Sequence, residues 1–370
     1  MLVKNGTAFI GGHFVKSDVR IENGKIAQIG DLEARPDEEV RNAAGQYVLP
    51  GFVDIHIHAF GGADCMRGED HVRRMSEGLL KTGVAAFCPT TMSAFHPETH
   101  KALVDIQAVK DHPCAHGAAV LGAHMEAPFL AVPKKGAQRG ECLEMPSVEA
   151  YEDMTRGIDC VKLMTIAPEL PGALDMIRYL ADHGVVTCAA HSEATAADVH
   201  AGADHGMTQI THIFNAQTPL HHREPGVPGA GLADDRIIVQ VIADGIHLHP
   251  DVLRICGLCK GGKGVALISD SMEAAGLPDG QYDLGGQAVF VKDGAARLAN
   301  GVLAGSTLLM HQAVRNMIKL AGIAPEEVIP MATSTPADSI GAKGYGRIEP
   351  GAVGVLALMD SDWNFVDVVA

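Results

Sequence analysis

Five separated segments of the chain each carry a short apolar run into a residue able to hold a metal ion. Phe52–Ile57 leads into His56-Ile57-His58, Ala119–Ala123 into Glu126, Val185–Ala190 into His191, Gln209–Thr211 into His212, and Val265–Ser269 into Asp270. Imidazoles and carboxylates that converge suit a divalent ion of the zinc or iron type, one or two per subunit, that activates water for hydrolysis. His56 and His58 stand two apart on a predicted strand, so both point to the same face and grip from a rigid element. Glu126 suits either one ion or a bridge between two. Asp270 suits a metal contact and also proton transfer from the activated water. Taken singly, His191 and His212 read as packed histidines, Glu126 as a solvated carboxylate and Asp270 as a helix N-cap. Their shared position after apolar runs is what favours chemistry.

The elements that must bring them together alternate in type. Strand-like segments fall at 52–57, 85–88, 119–124, 161–166, 185–190, 209–213, 237–242 and 265–269, with helical patterns such as Leu174–His183 and Ala194–Ala203 between them. Alternation of this kind predicts an α/β fold with a parallel sheet, and eight units predict a closed TIM-like (β/α)8 barrel. The ligand candidates follow strands one, three, five, six and eight, whose C-terminal ends form a single rim. Gly276–Gly305 reads as a β excursion ahead of a helix over Leu308–Leu320. Near the N-terminus, Val19–Ile21 and Lys25–Ile29 flank Glu22-Asn23-Gly24, a hairpin signal. The last stretch, Ile348–Ala370, returns to short apolar runs. The expected organisation is a small β-sandwich built from residues 1–50 and 346–370 beside a barrel over 51–345.

The formal net charge of −16 over 370 residues argues against nucleic acid or an anionic membrane as a partner. Any anionic substrate therefore needs a local cluster of cations and amides. No run reaches the roughly 18 apolar residues of a membrane span, and the N-terminus lacks the apolar core of a signal peptide; the expected location is cytoplasmic. Eight scattered cysteines fit a reducing compartment with mostly buried thiols. Cys256 and Cys259 form a lone C-x-x-C inside a helical pattern and read as structural. Gly257–Gly264 lacks the closing Ser/Thr of a phosphate-binding loop and precedes a strand. Ser192 has no nucleophile-elbow setting. Lys134-Lys135 reads first as a solvated loop, with guidance of phosphate inward as the alternative.

Preceded by Leu49-Pro50-Gly51-Phe52-Val53-Asp54, the His-x-His pair resembles the opening of the amidohydrolase superfamily. Further motifs resemble one family within it, the N-acetylglucosamine-6-phosphate deacetylases. They are Gly122–Phe129, Lys135-Gly136-Ala137-Gln138, Thr211–Ala216, His222–Gly226, Ala243–His247 and Leu303–Ser306, spread over nearly the whole chain. The resemblance implies metal ligation by Glu126, His191 and His212, extended to a two-ion site by His56, His58 and Asp270, with Asp270 as the acid/base. It implies sugar-phosphate contacts from Ala137, Gln138, Asn215, Ala216, Arg223, Asp244, His247, Leu303, Ala304 and Gly305. It also implies a homodimer in which Arg223 reaches the neighbouring site. Some members carry His where this chain has Gln138, the position expected to meet the substrate carbonyl. The implied reaction is deacetylation of N-acetylglucosamine 6-phosphate to glucosamine 6-phosphate and acetate. The alternatives are the galactosamine epimer, another N-acyl or cyclic amide, and a non-catalytic scaffold, which would be expected to have lost ligands.

Overall fold

The computed structural model describes residues 1–370. Eight parallel strands form the barrel: β1 (Phe52–Ile57), β2 (Val84–Thr91), β3 (Ala123–Met125), β4 (Val161–Ile166), β5 (Val186–Ala189), β6 (Gln209–Ile210), β7 (Ile238–Ile242) and β8 (Val265–Ile268). Each pairs in parallel with the next, from β1 with β2 through to β7 with β8. The seam between β8 and β1 closes through Asp270 N–H donating to the His56 carbonyl at 2.9 Å and Ser269 N–H donating to the Asp54 carboxylate at 3.2 Å. The strands are buried nearly throughout because helices cover the outer face, which is why they read as apolar runs without alternation.

The predicted third strand is interrupted. Ala119–Val120 pairs with β2 separately, and the main strand starts at Ala123. Gly122 makes the break: its φ is 142°, and a Cβ there would sit 2.3 Å from the Cys160 carbonyl oxygen. The helices follow their patterns closely. Ala173–Asp182 buries Ala173, Met176, Ile177 and Leu180, one face at helical spacing. Ala196–Asp204 starts on a capping box in which Thr195 and Asp198 satisfy each other's backbone N–H groups. Met310–Lys319 follows the excursion after β8, a three-stranded antiparallel sheet of Gly280–Leu284, Gln287–Lys292 and Ala295–Leu298.

Both chain ends contribute to two further sheets. Leu356–Met359 lies antiparallel to Tyr47–Pro50 within a five-stranded sheet, and Leu2–Lys4 joins Asp18–Glu22 in a four-stranded one. Val3, Val19, Ile26, Val48, Leu356 and Leu358 form their shared core. The hairpin turn falls at Asn23-Gly24, both with positive φ, as its type demands. No helix is long and apolar enough to cross a membrane. The eight cysteines are unpaired; Cys256 is buried and Cys259 exposed on the helix Pro250–Gly264.

Candidate active site

The barrel rim brings the five segments to one point. His56 is the last residue but one of β1 and His58 follows the strand, Glu126 follows β3, and His191, His212 and Asp270 each stand two residues beyond their strands. These last three adopt positive φ, at 46°, 31° and 48°. The chain bends there into the left-handed region, which L residues enter at a cost and which clusters at functional sites.

Glu126 sits at the centre. Its Oε1 lies 2.9 Å from His212 Nε2, 3.2 Å from His191 Nε2 and 3.6 Å from His56 Nε2; its Oε2 lies 3.3 Å from His58 Nε2. Asp270 Oδ1 is 3.2 Å from His58 Nε2 and 3.5 Å from His56 Nε2. Two ligand triads result, His56–His58–Glu126 and Glu126–His191–His212, with Glu126 common to both.

The hydrogen bonds behind the ligands decide which atoms face inward. His191 Nδ1 meets the Lys134 carbonyl at 2.8 Å and His58 Nδ1 the Thr90 carbonyl at 2.9 Å. A carbonyl only accepts, so each Nδ1 carries a hydrogen, and in the neutral ring each Nε2 turns a bare lone pair inward. Those lone pairs face carboxylate oxygens, and the Nε2 atoms of His191 and His212 face each other at 3.1 Å. Such an arrangement is repulsive without positive charge at its centre. The acid–base balance points the same way. Burial lowers the pKa of His58, but Asp270 and Glu126 reverse this and raise it well above the ordinary value. Burial likewise lowers that of His191, and Glu126 raises it. The donor set of imidazoles and carboxylates therefore fits a divalent cation. Burial raises the pKa of Asp270, yet His56 and His58 hold it down at about 2, so it stays ionised.

The site forms one wall of a cavity of about 480 Å³. Ala137, Gln138, Asn215, Ala216, His247, Leu303 and Gly305 line it, as does Asp270. His247 Nδ1 donates to Asp244 Oδ2 at 2.6 Å, so Asp244 stands behind the imidazole and outside the cavity lining. Ala304 is buried in a small core with Met92 and Met272. Arg223 is exposed and outside the cavity, its guanidinium 2.8 Å from its neighbour His222.

Gln138 is held from two sides. Its Nε2 donates to Glu126 Oε2 at 2.7 Å and reaches the Met92 sulfur at 3.8 Å, while its Oε1 accepts from Ser93 N–H at 2.7 Å. The amide is thus held against Glu126 at the cavity wall, where Gln138 is among the lining residues. Lys134 and Lys135 are partly exposed, and both line the cavity. Asn300 and Val302 from the excursion line it too. Nothing in their residue types marks them; only the excursion's return over the rim brings them there.

Residues 47–369 match the model of the amidohydrolase family. The chain is 37% identical over 346 residues to the N-acetylgalactosamine-6-phosphate deacetylase of Escherichia coli O157:H7, covering 93% of this chain and 90% of that one. It is 34% identical over 376 residues to the N-acetylglucosamine-6-phosphate deacetylase of Bacillus subtilis (strain 168), covering 99% and 94%. In structure it is similar to a mutant N-acetyl-D-glucosamine-6-phosphate deacetylase from Mycobacterium smegmatis, solved in complex with N-acetyl-D-glucosamine-6-phosphate. That likeness has a TM-score of 0.92 at 29% identity, covering 100% of this chain and 97% of that one.

Proposed function

Because the chain belongs to the amidohydrolase family, and within it to the N-acetylglucosamine-6-phosphate deacetylases, we propose that it hydrolyses the N-acetyl group of N-acetylglucosamine 6-phosphate. The products are glucosamine 6-phosphate and acetate, in amino-sugar catabolism and recycling. The observation that carries this reading is the convergence of Glu126, His191 and His212 beside an ionised Asp270 on the wall of a substrate-sized cavity.

Glu126, His191 and His212 would hold a first divalent ion, and His56, His58 and Asp270 with Glu126 would hold a second. An ion so held supplies Lewis acidity, which lowers the pKa of water and polarises the amide carbonyl. Asp270 accepts the proton of the attacking water and delivers it to the amine nitrogen, which leaves poorly without it. Asp244 fixes the tautomer of His247 so that Nε2 is turned to the sugar. The exposed position of Arg223 is in keeping with a homodimer in which it serves the neighbouring subunit's phosphate site. A charged sugar phosphate does not cross a bilayer unaided, which together with eight free thiols favours the cytoplasm.

The galactosamine epimer is the second reading, favoured by the likeness to a relative with that name. The deciding experiment is metal analysis of the purified protein with acetate release measured on both epimeric sugar phosphates. Metal-dependent release from the glucosamine substrate is the expected result. Release from the galactosamine epimer alone reassigns the substrate, and release from neither, with metal bound, refutes the deacetylase reading.

A further inference from the structure

Away from the two metal triads, little in this cavity attracts a phosphate. The protein is acidic, and Glu126 and Asp270 both face the space. The only lysine or arginine side chains in the cavity lining are Lys134 and Lys135, and neither lies within ion-pair distance of a carboxylate. Lys135 Nζ donates to the Gln138 carbonyl at 3.1 Å and so closes its own turn, on the side where Gln138 meets Glu126. Lys134 is different. Its Nζ donates to the Gln217 carbonyl at 3.2 Å, directly beside Asn215 and Ala216, which line the same cavity.

The main chain of Lys134 is fixed on both sides. Its carbonyl accepts from His191 Nδ1 at 2.8 Å, and its N–H donates to the Ala131 carbonyl at 2.9 Å within the 3₁₀ turn Val132–Lys134. Gly136 lets the turn approach the imidazole closely: its φ is 56°, and a Cβ would lie 3.3 Å from His191 Cε1. One residue thus orients a metal ligand with its backbone and extends a cation across to the 215–217 turn with its side chain. A lysine ammonium has three donors; one is spent on Gln217, leaving two for an anion.

We propose that Lys134 is the in-chain cation of the phosphate subsite, binding the substrate's 6-phosphate between its ammonium and the Asn215–Gln217 turn. This rests on the sugar-phosphate reading above and adds to it a contact made by the same subunit that supplies the metal ligands. A phosphate dianion offers acceptors to both free N–H groups, and the strength is that of a charge-assisted hydrogen bond partly open to water.

The test compares kcat/KM for N-acetylglucosamine 6-phosphate with that for N-acetylglucosamine, in the metal-loaded enzyme and in Lys134→Gln, Lys134→Ala and Lys134→Arg. The ratio of the two should fall about tenfold or more in the Gln and Ala variants, through KM for the phosphorylated sugar. Inorganic phosphate should inhibit both variants more weakly than the wild type. Arginine should recover most of the ratio because it presents the same charge to phosphate. A ratio that changes by less than about twofold in both variants overturns the proposal, as does an equal loss on both sugars. Failure of the wild type itself to prefer the phosphorylated sugar refutes the substrate reading instead, so the two failures are distinguishable.

Discussion

Gln138→Leu separates two roles for one residue, a contact to the substrate carbonyl and a clamp on the metal ligand Glu126. Gln138 is 2% exposed, and its amide bonds both Glu126 Oε2 and Ser93 N–H at 2.7 Å. Leucine fills similar space with no polar atoms. The lost bond to a charged carboxylate is worth about 1.5–3 kcal/mol, and the stranded Ser93 N–H costs about 1–3 kcal/mol. Burying the leucine returns about 1.5–2 kcal/mol, so the net destabilisation is about 0.5–4.5 kcal/mol. Glu126 also loses the partner that fixes its carboxylate plane, and changes of this outer kind weaken metal binding by about 10- to 100-fold. Thermal unfolding of the metal-stripped protein reads the first effect, and competition for metal against a chelator of known affinity reads the second. Activity should recover as metal is raised to saturation. Unchanged stability and metal affinity, with a raised KM for the sugar alone, would show that the amide serves the substrate.

Asp270→Asn keeps the shape of the side chain but accepts no proton, so kcat should fall about 10²–10⁴-fold while calorimetry still detects substrate binding; a loss below about tenfold assigns the proton transfer elsewhere. Glu126→Ala, His191→Ala and His212→Ala should each lose bound metal and activity together, whereas His58→Ala should lower the metal content and leave the ion held by the other triad; full metal content in Glu126→Ala refutes the site. His96 carries the pH prediction. Its hydrogen bonds to Glu144 at 2.7 Å and Asp153 at 2.9 Å raise its pKa against the lesser effect of burial. A raised folded-state pKa means the stabilisation is fully present below the unfolded value of about 6.5 and is lost as pH rises through the folded value. The stability difference between wild type and His96→Gln should therefore shrink as pH rises past neutrality, and a difference that is flat from pH 6 to 9 refutes the ion-pair role.

Much of the barrel was legible because its strands are sealed on both faces. Each had to be a short apolar run, and each ligand had to follow one directly. The terminal sheets were legible from Asn23-Gly24 and the final apolar runs. What could not be read was anything fixed by orientation after a turn. Gln138 and Lys134 lie four residues apart in one loop, yet the first amide turns inward to Glu126 and the second side chain crosses to Gln217. Residue type permits both outcomes for either. The break at Gly122 was hidden for a similar reason: the carbonyl of Cys160 that forbids a side chain there stands just before β4, the next strand in space.

The positive φ at His191, His212 and Asp270 was equally hidden, and it explains how ligands from separate strands share one point. A strand continued beyond Ala189, Ile210 or Ile268 would carry its side chains past the rim; the left-handed bend turns each ligand back across the barrel mouth. Strain of this type costs about 1–3 kcal/mol per residue, hence about 3–9 kcal/mol for the three, a large part of the roughly 5–15 kcal/mol that holds a domain folded. His and Asp tolerate the conformation better than β-branched residues do. The bends persist because neighbouring backbone over-determines them. Ala131 N–H donates to the His191 carbonyl at 2.9 Å, Asn215 N–H to that of His212 at 3.0 Å, and Ser306 N–H to that of Asp270 at 2.7 Å. Each of these donors comes from a loop that also helps to shape the cavity. The loops that shape the cavity therefore also hold the candidate metal ligands in their strained positions, so that loop sequence here answers to the geometry of the ligand cluster as much as to the shape of the cavity.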